Sequence, residues 1–126
     1  MAELARLRHD EGVRLDPDAL SAIYAELGER GAEKLIGRAT EDLAGRLQDL
    51  RQSLAEGRAT DLVRAARMLA QVGAQVGMTS VARVARDLIR ATEAGDATGQ
   101  AAILARLERI GQRSLTAVWD LHDMTV

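Results

Sequence analysis

The apolar residues of this chain recur every three or four positions, and glycines interrupt the runs at intervals. That spacing puts apolar side chains along one face of a helix. The longest run predicts a helix over about residues 32–56, with a stripe at Leu35, Ala39, Leu43, Leu47, Leu50 and Leu54. A single proline and abundant Ala, Leu, Arg and Glu also favour helix over sheet. We therefore expect an all-α fold.

Capping signals divide the remaining sequence into further helices. Asp16 before Pro17 is a typical start, and Gly28 is expected to end this short first helix. Thr60, and Thr79 or Ser80, are predicted to cap the next two helices. The last helix is expected to start at Asp96. The predicted inward residues outside the longest run are Leu20, Ile23, Tyr24, Leu27, Leu62, Ala66, Leu69, Gly73, Val76, Val81, Val84, Ala85, Leu88, Ile103, Leu107, Ile110, Ser114, Ala117 and Leu121.

Short connections between long helices favour antiparallel neighbours. The sequence thus predicts one domain, an up-down antiparallel four-helix bundle with a short additional N-terminal helix. We assign residues 1–14 to an N-terminal arm, 15–122 to the bundle and 123–126 to a C-terminal tail.

Composition and motifs exclude several function classes. The net charge of −2 argues against nonspecific nucleic-acid binding, and no apolar run is long enough for a signal peptide or a membrane span. A cytoplasmic protein without nucleic-acid or membrane partners is therefore expected. There is no cysteine, and His122, between Asp120 and Asp123, lacks a ligand set and is expected at the surface. We predict no metal, no cofactor and no enzymatic activity.

The helix predicted over residues 60–76 presents a polar outer face. With Leu62 at zero and about 100° per residue, the inward residues of this helix fall within about 40°. Arg67 then lies near 140° and Gln71 near 180°, pointing to solvent with Arg64, Ala74 and Gln75. The pair Gly73 and Gly77 is read as close helix packing followed by a helix stop.

The segment ARMLAQVGAQVG, residues 66–77, resembles the signature A-H-x-L-K-G-S-S/A-A-x-L-G of histidine-containing phosphotransfer (HPt) domains of bacterial phosphorelays. Ala66, Leu69, Ala74 and Gly77 agree, and Val76 replaces a leucine. The segments LDPDALSAIYAELG and MTSVARVARDL are similar to that family's opening and following helices. The resemblance covers about residues 15–121 and implies an HPt-like bundle.

The departures from this signature fall at its chemical positions. Arg67 stands at the phosphorylated histidine, Ala70 at the lysine and Gln71 at the glycine. A permanently protonated guanidinium cannot accept phosphate as a neutral imidazole does. The resemblance therefore implies a pseudo-phosphotransfer module.

Such a module is expected to bind a response-regulator receiver domain or a histidine kinase, because active members of the family dock this helix face on an acidic receiver pocket. The predicted partner-binding residues are Arg64, Arg67, Gln71, Ala74, Gln75, Arg83 and Arg86. Two alternatives stay open. One is a phosphorelay protein that uses His9 or His122 as its acceptor. The other is a structural or oligomerisation bundle, with Leu104 and Leu115 in a homodimer interface.

Overall fold

The computed structural model describes residues 13–125, so His9 and most of the predicted arm lie outside the described residues. Across that range the chain forms four helices: α1 (Pro17–Ala55), α2 (Ala59–Gln75), α3 (Thr79–Glu93) and α4 (Ala97–Thr125). Each helix packs against the next one, and α1 also packs against α4. The predicted all-α four-helix bundle is confirmed. Helix α4 runs to Thr125, so residues 123–125, which the sequence assigns to a tail, continue it.

Helix α1 contains one sharp break. Gly28 has φ 73° and ψ 178°, a backbone conformation that is essentially restricted to glycine. The predicted short opening helix therefore does end at Gly28. The long part of α1 starts directly after the break, however, and not near residue 32. At the start of α1, Asp16 Oδ1 accepts hydrogen bonds from the backbone N–H groups of Asp18 (3.0 Å) and Ala19 (3.3 Å), which confirms the predicted cap.

Two of the predicted caps are wrong. The N-cap positions of α2 and α3 are occupied by Arg58 and Met78, and neither makes a side-chain capping bond. Ser80 is engaged differently, because its Oγ accepts a 2.6 Å hydrogen bond from the backbone N–H of Arg14. Asp96 does cap α4, since its Oδ1 accepts from Gly99 N at 2.9 Å.

Residues 13–16 are tied to the turn between α2 and α3. Besides the Arg14–Ser80 contact, Ser80 N donates to Arg14 O at 3.3 Å and Asp16 N donates to Gly77 O at 2.7 Å. Residues 13 and 14, which the sequence assigns to the arm, thus belong to this contact. Gly77 has φ 75°, and a Cβ there would stand 2.8 Å from Asp16 O. Glycine is required here by both conformation and space.

Gly73, one turn earlier on α2, marks the close approach of α3. A Cβ at this position would lie 3.1 Å from Val81 Cγ1 and 3.3 Å from Ala82 N. The interpretation of Gly73 and Gly77 as close packing followed by a helix stop is therefore confirmed.

The core is aliphatic and contains most of the predicted inward residues, but the last helix departs from the prediction. Leu121 is exposed because His122 takes the inward position at that turn. Leu104, predicted to face outward, is only 5% exposed, and Leu115 packs against the core. The dimer interface predicted from these two leucines is therefore wrong. Leu27 is also exposed, lying beside Gly31 on the outside of the break in α1.

Candidate functional site

The predicted outer face of α2 is exposed as expected. Inward residues such as Leu62, Ala66 and Leu69 are buried completely or nearly so. Every residue that the helical wheel turned outward is exposed, and Arg67 lies at the midpoint of α2. The exposed residues are Arg64, Arg67, Gln71, Ala74 and Gln75.

Two shallow grooves flank this face. The groove between α2 and α3 is lined by Arg67 and Gln71, with Glu93 from α3. The groove between α1 and α2 is lined from the α1 side by residues such as Arg46 and Asp49. Arg64 and Met68 line both grooves, so they form the ridge between them.

The two predicted residues of α3 lie on the helix that packs next to α2. Arg83 and Arg86 are exposed, and α3 runs antiparallel to α2. Gly73 meets Val81 near one end of this helix pair, and Glu93 lines the groove near the other end. This register places Arg86 beside the middle of α2. We call the seven predicted residues together the basic face: Arg64, Arg67, Gln71, Ala74, Gln75, Arg83 and Arg86.

Among the described residues, none neutralises the arginines of the basic face. Other arginines do form ion pairs, such as Arg90 with Asp87 on α3 and Arg51 with Glu108 at 2.9 Å. Within residues 13–125, no ion pair involves any of the four arginines of the basic face. Their guanidinium groups are therefore available to carboxylates or phosphates of a partner, for which arginine is a bidentate donor.

Sequence reasoning missed one residue of this surface. Met68 is 38% exposed, although it is large and apolar, and it stands on the ridge beside Arg64. Its wheel position, about 240° from Leu62, already pointed outward. A methionine adapts its shape to an opposing surface and is frequent at sites of protein binding. It therefore supplies an apolar contact within the basic face.

The three departures from the HPt signature occupy different environments. Arg67 and Gln71 are exposed, whereas Ala70 is buried on the side of α2 that packs against the bundle. A small side chain at position 70 fits this packing. Any longer cation there would have to extend along the surface to reach solvent.

The prediction that His122 is a surface residue is wrong. The side chain is only 7% exposed, and its Nδ1 shares a hydrogen bond with the Tyr24 hydroxyl. The ring also meets Trp119 edge-on, with centroids 5.5 Å apart and planes at 89°. Its Nε2 lies 3.9 Å from Glu33 Oε2. His122 therefore packs the end of the bundle, and this burial does not suit a phosphoacceptor that a partner must reach.

Two further features bear on other function classes. Nowhere in residues 13–125 do three His, Cys, Asp or Glu side chains gather as a potential metal-ligand set. In the same part of the chain, every helix is too short or too polar to cross a bilayer.

Comparison with known proteins relates this geometry to one fold. No family model matches the sequence, and no curated protein matches it. The structure is similar to the crystal structure of histidine-containing phosphotransfer protein B (HptB) from Pseudomonas aeruginosa PAO1, with a TM-score of 0.80 and 20% sequence identity. The match covers 88% of this chain and 96% of that one. The chain therefore has the fold of a histidine-containing phosphotransfer protein.

Proposed function

We propose that this protein is an HPt-like signalling module that binds a receiver domain or a histidine kinase of a two-component system and carries no phosphate itself. The observation that carries the proposal is the exposed position of Arg67 in the basic face, on a fold shared with a phosphotransfer protein. We also propose that the protein is bacterial, lies in the cytoplasm and has no enzymatic activity.

The side chain at position 67 determines whether this surface can accept a phosphoryl group. A phosphohistidine forms when a neutral ring nitrogen attacks a phosphoryl group. The Arg67 guanidinium stays protonated at every physiological pH and has no lone pair free for this attack. The resemblance to the HPt signature aligns Arg67 with the acceptor histidine. A protein with this arrangement keeps the surface for docking and lacks the group that accepts phosphate.

Charge and shape favour an acidic partner. Arg64 and Arg67 lie one turn apart on α2, and neither has an ion pair within the described residues. Met68, beside Arg64, offers an apolar contact. A cluster of carboxylates, as in the acidic pocket of a receiver, would complement this arrangement. Arginine is also among the residue types whose truncation most often weakens protein interfaces.

Direct binding measurements test the docking role of Arg67. We would titrate purified receiver domains from the same organism, with and without beryllofluoride, into the wild-type protein and into Arg67→Glu. Reversing the charge should raise Kd at least about tenfold, because attraction is replaced by repulsion in a partly desolvated contact. The matched control is Arg38→Glu, the same change at an exposed position of α1, which should leave Kd unchanged. Equal affinities of wild type and Arg67→Glu would remove Arg67 from the interface.

Phosphate transfer tests the other half of the proposal. Incubation with a receiver that carries labelled phosphate should leave the wild-type protein unlabelled. Label that disappears in His9→Ala would instead support a noncanonical acceptor. His9 lies outside the described residues, so this alternative is decided by the experiment alone.

A further inference from the structure

The C-terminal half of α4 carries an exposed apolar surface. Met124 is 83% exposed and Leu121 is also exposed. Both line a shallow, mainly apolar groove that Val13 and Leu15 close on one side. Within residues 13–125, α1 and α3 each pack against both α2 and α4, so α2 and α4 lie diagonally across the bundle. This surface therefore faces away from the arginines of α2.

Two opposite charges stand on this surface at a regular spacing. Arg113 and Asp120 both line the groove, seven residues apart on α4. Seven residues are about two helical turns, so the two side chains point in nearly the same direction, about 10 Å apart along the axis. Neither forms an ion pair with another residue in the range 13–125. Between them lie the small residues Thr116 and Ala117.

This pattern is complementary to itself. A two-fold axis through the midpoint of Thr116 and Ala117, perpendicular to α4, brings two copies of the helix together antiparallel. Arg113 of each copy then faces Asp120 of the other, which forms the same ion pair twice. An interface between identical copies needs this kind of self-complementary patch. The small central residues let the helices approach, and each Met124 is covered by the opposite helix near Arg109.

We propose that the protein forms a homodimer through antiparallel pairing of α4 across this groove. The proposal is independent of the function proposed for the basic face. Because α2 lies diagonally opposite α4, pairing through α4 leaves the α2 part of both basic faces open, with Arg64, Arg67 and Gln71 of each copy accessible. A dimer of this kind presents two equivalent docking surfaces to its partners.

Charge reversal tests the pairing. Sedimentation velocity over a concentration series should show a wild-type monomer–dimer equilibrium. Arg113→Asp and Asp120→Arg should each raise the dimer dissociation constant at least about tenfold, because each change creates two repulsive contacts. Met124→Lys, at a position too exposed to disturb the fold, should also weaken the dimer, because it places a second cation near Arg109 of the opposite copy. The matched control Arg64→Asp, at an exposed position of α2, should not.

Two further experiments test whether Arg113 of one copy faces Asp120 of the other. The double variant Arg113→Asp/Asp120→Arg should dimerise again, since each reversed charge meets its reversed partner. Mixing the two single variants should give heterodimers, because one copy carries two acids and the other two arginines at the contact. A wild type that remains monomeric at every concentration would overturn the proposal. A dimer insensitive to the charge reversals, or one that neither rescue restores, would overturn it equally.

Discussion

The imidazole of His122 stacks on the phenol ring of Tyr24, with ring centroids 5.7 Å apart and planes inclined by 24°. Tyr24 precedes the break at Gly28, whereas Glu33, whose carboxylate lies near the same imidazole, follows it. His122 therefore connects both parts of α1 to the C-terminal end of α4. This contact holds the short first segment of α1 against the C-terminal end of α4.

Removal of this ring should destabilise the whole domain. We expect His122→Ala to lower the free energy of unfolding by about 2–3 kcal/mol, because a buried ring and its hydrogen bond are lost together. Tyr24→Phe removes only the hydroxyl and should cost about 1–2 kcal/mol. Urea denaturation of both single variants and of the double variant gives the coupling between the two residues. Additive effects would show that the hydrogen bond between the Tyr24 hydroxyl and His122 does not contribute to stability.

The single tyrosine also reports on this environment. Burial raises the pKa of Tyr24 above its ordinary value, and the nearby carboxylates of Glu29, Glu33 and Asp123 raise it further. A raised pKa means that the folded state holds the phenolic proton more tightly than the unfolded chain does. The contribution of this proton to the free energy of unfolding is complete below about pH 10 and is lost as the pH rises through the folded-state pKa of Tyr24.

Alkaline titration checks this shift. Because the sequence contains one tyrosine, tyrosinate absorbance follows Tyr24 alone. The midpoint in the folded protein should lie above the midpoint of the same chain in concentrated urea. Replacing Glu33 by Gln should move the folded midpoint down. Identical midpoints in buffer and urea would contradict the environment described for Tyr24.

A comparison of alanine substitutions at Gly77 and Gly57 distinguishes the cost of backbone strain from the cost of steric crowding. Both have positive φ, 75° and 69°, but a Cβ at Gly57 meets open space, whereas one at Gly77 would stand 2.8 Å from Asp16 O. We expect Gly57→Ala to cost about 1–2 kcal/mol from strain alone. Gly77→Ala should cost more by at least about 1 kcal/mol, since the crowding is against backbone and cannot be relieved by rotating a side chain. Equal losses in thermal or urea unfolding would show that residues 13–16 do not pack against this turn.

The four-helix fold was predictable because its signals are local. Gly28, Gly57, Gly77 and Gly95 all adopt positive φ at a helix end or break, a conformation that glycine tolerates and that the sequence marks directly. The predicted cap at Ser80 failed for the opposite reason. Its hydroxyl accepts a hydrogen bond from the backbone N–H of Arg14, 66 residues away along the chain. No local sequence pattern indicates such a contact.

The exposed positions of α2 were also predictable from the sequence. Outward positions on the 17-residue α2 followed from the wheel, because a short helix accumulates little angular error. Over the 29 residues of α4 the same spacing drifts, and Leu104, Leu121 and His122 were assigned to the wrong sides. Met68 was missed because the predicted site was defined by charged and polar residues, and an apolar residue on the exposed face carries no such signal.

One buried hydroxyl offers a route to a more stable protein. Ser114 is fully buried on α4, and within the described part of the chain its Oγ has no hydrogen-bond partner. Ser114→Ala removes this unsatisfied group and improves helix propensity, so the free energy of unfolding should rise by about 0.5–1.5 kcal/mol. Thr92→Ala is the contrast, because the buried Thr92 hydroxyl donates to Leu88 O at 2.8 Å. Thermal unfolding that ranks Ser114→Ala at or below the wild type would mean that the hydroxyl is satisfied in solution.

Restoring an imidazole at position 67 tests whether this position is equivalent to an acceptor histidine. Arg67→His places an exposed ring in the middle of the basic face, where a docked receiver would present its phosphoryl group. We expect labelled phosphate to move from a phosphorylated receiver to this variant, and more efficiently when Ala70→Lys and Gln71→Gly are added. The glycine costs about 1 kcal/mol of helix stability, so circular dichroism must show that the triple variant is folded.

The control for this experiment is Arg64→His, one turn away on the same face, which should stay unlabelled. Wild-type protein should also stay unlabelled, since its guanidinium cannot accept phosphate. If the folded triple variant binds the receiver with wild-type affinity and still takes no label, position 67 does not meet the phosphoryl group. The basic face would then dock a partner in another orientation, and the alignment of Arg67 with the acceptor histidine would have to be given up.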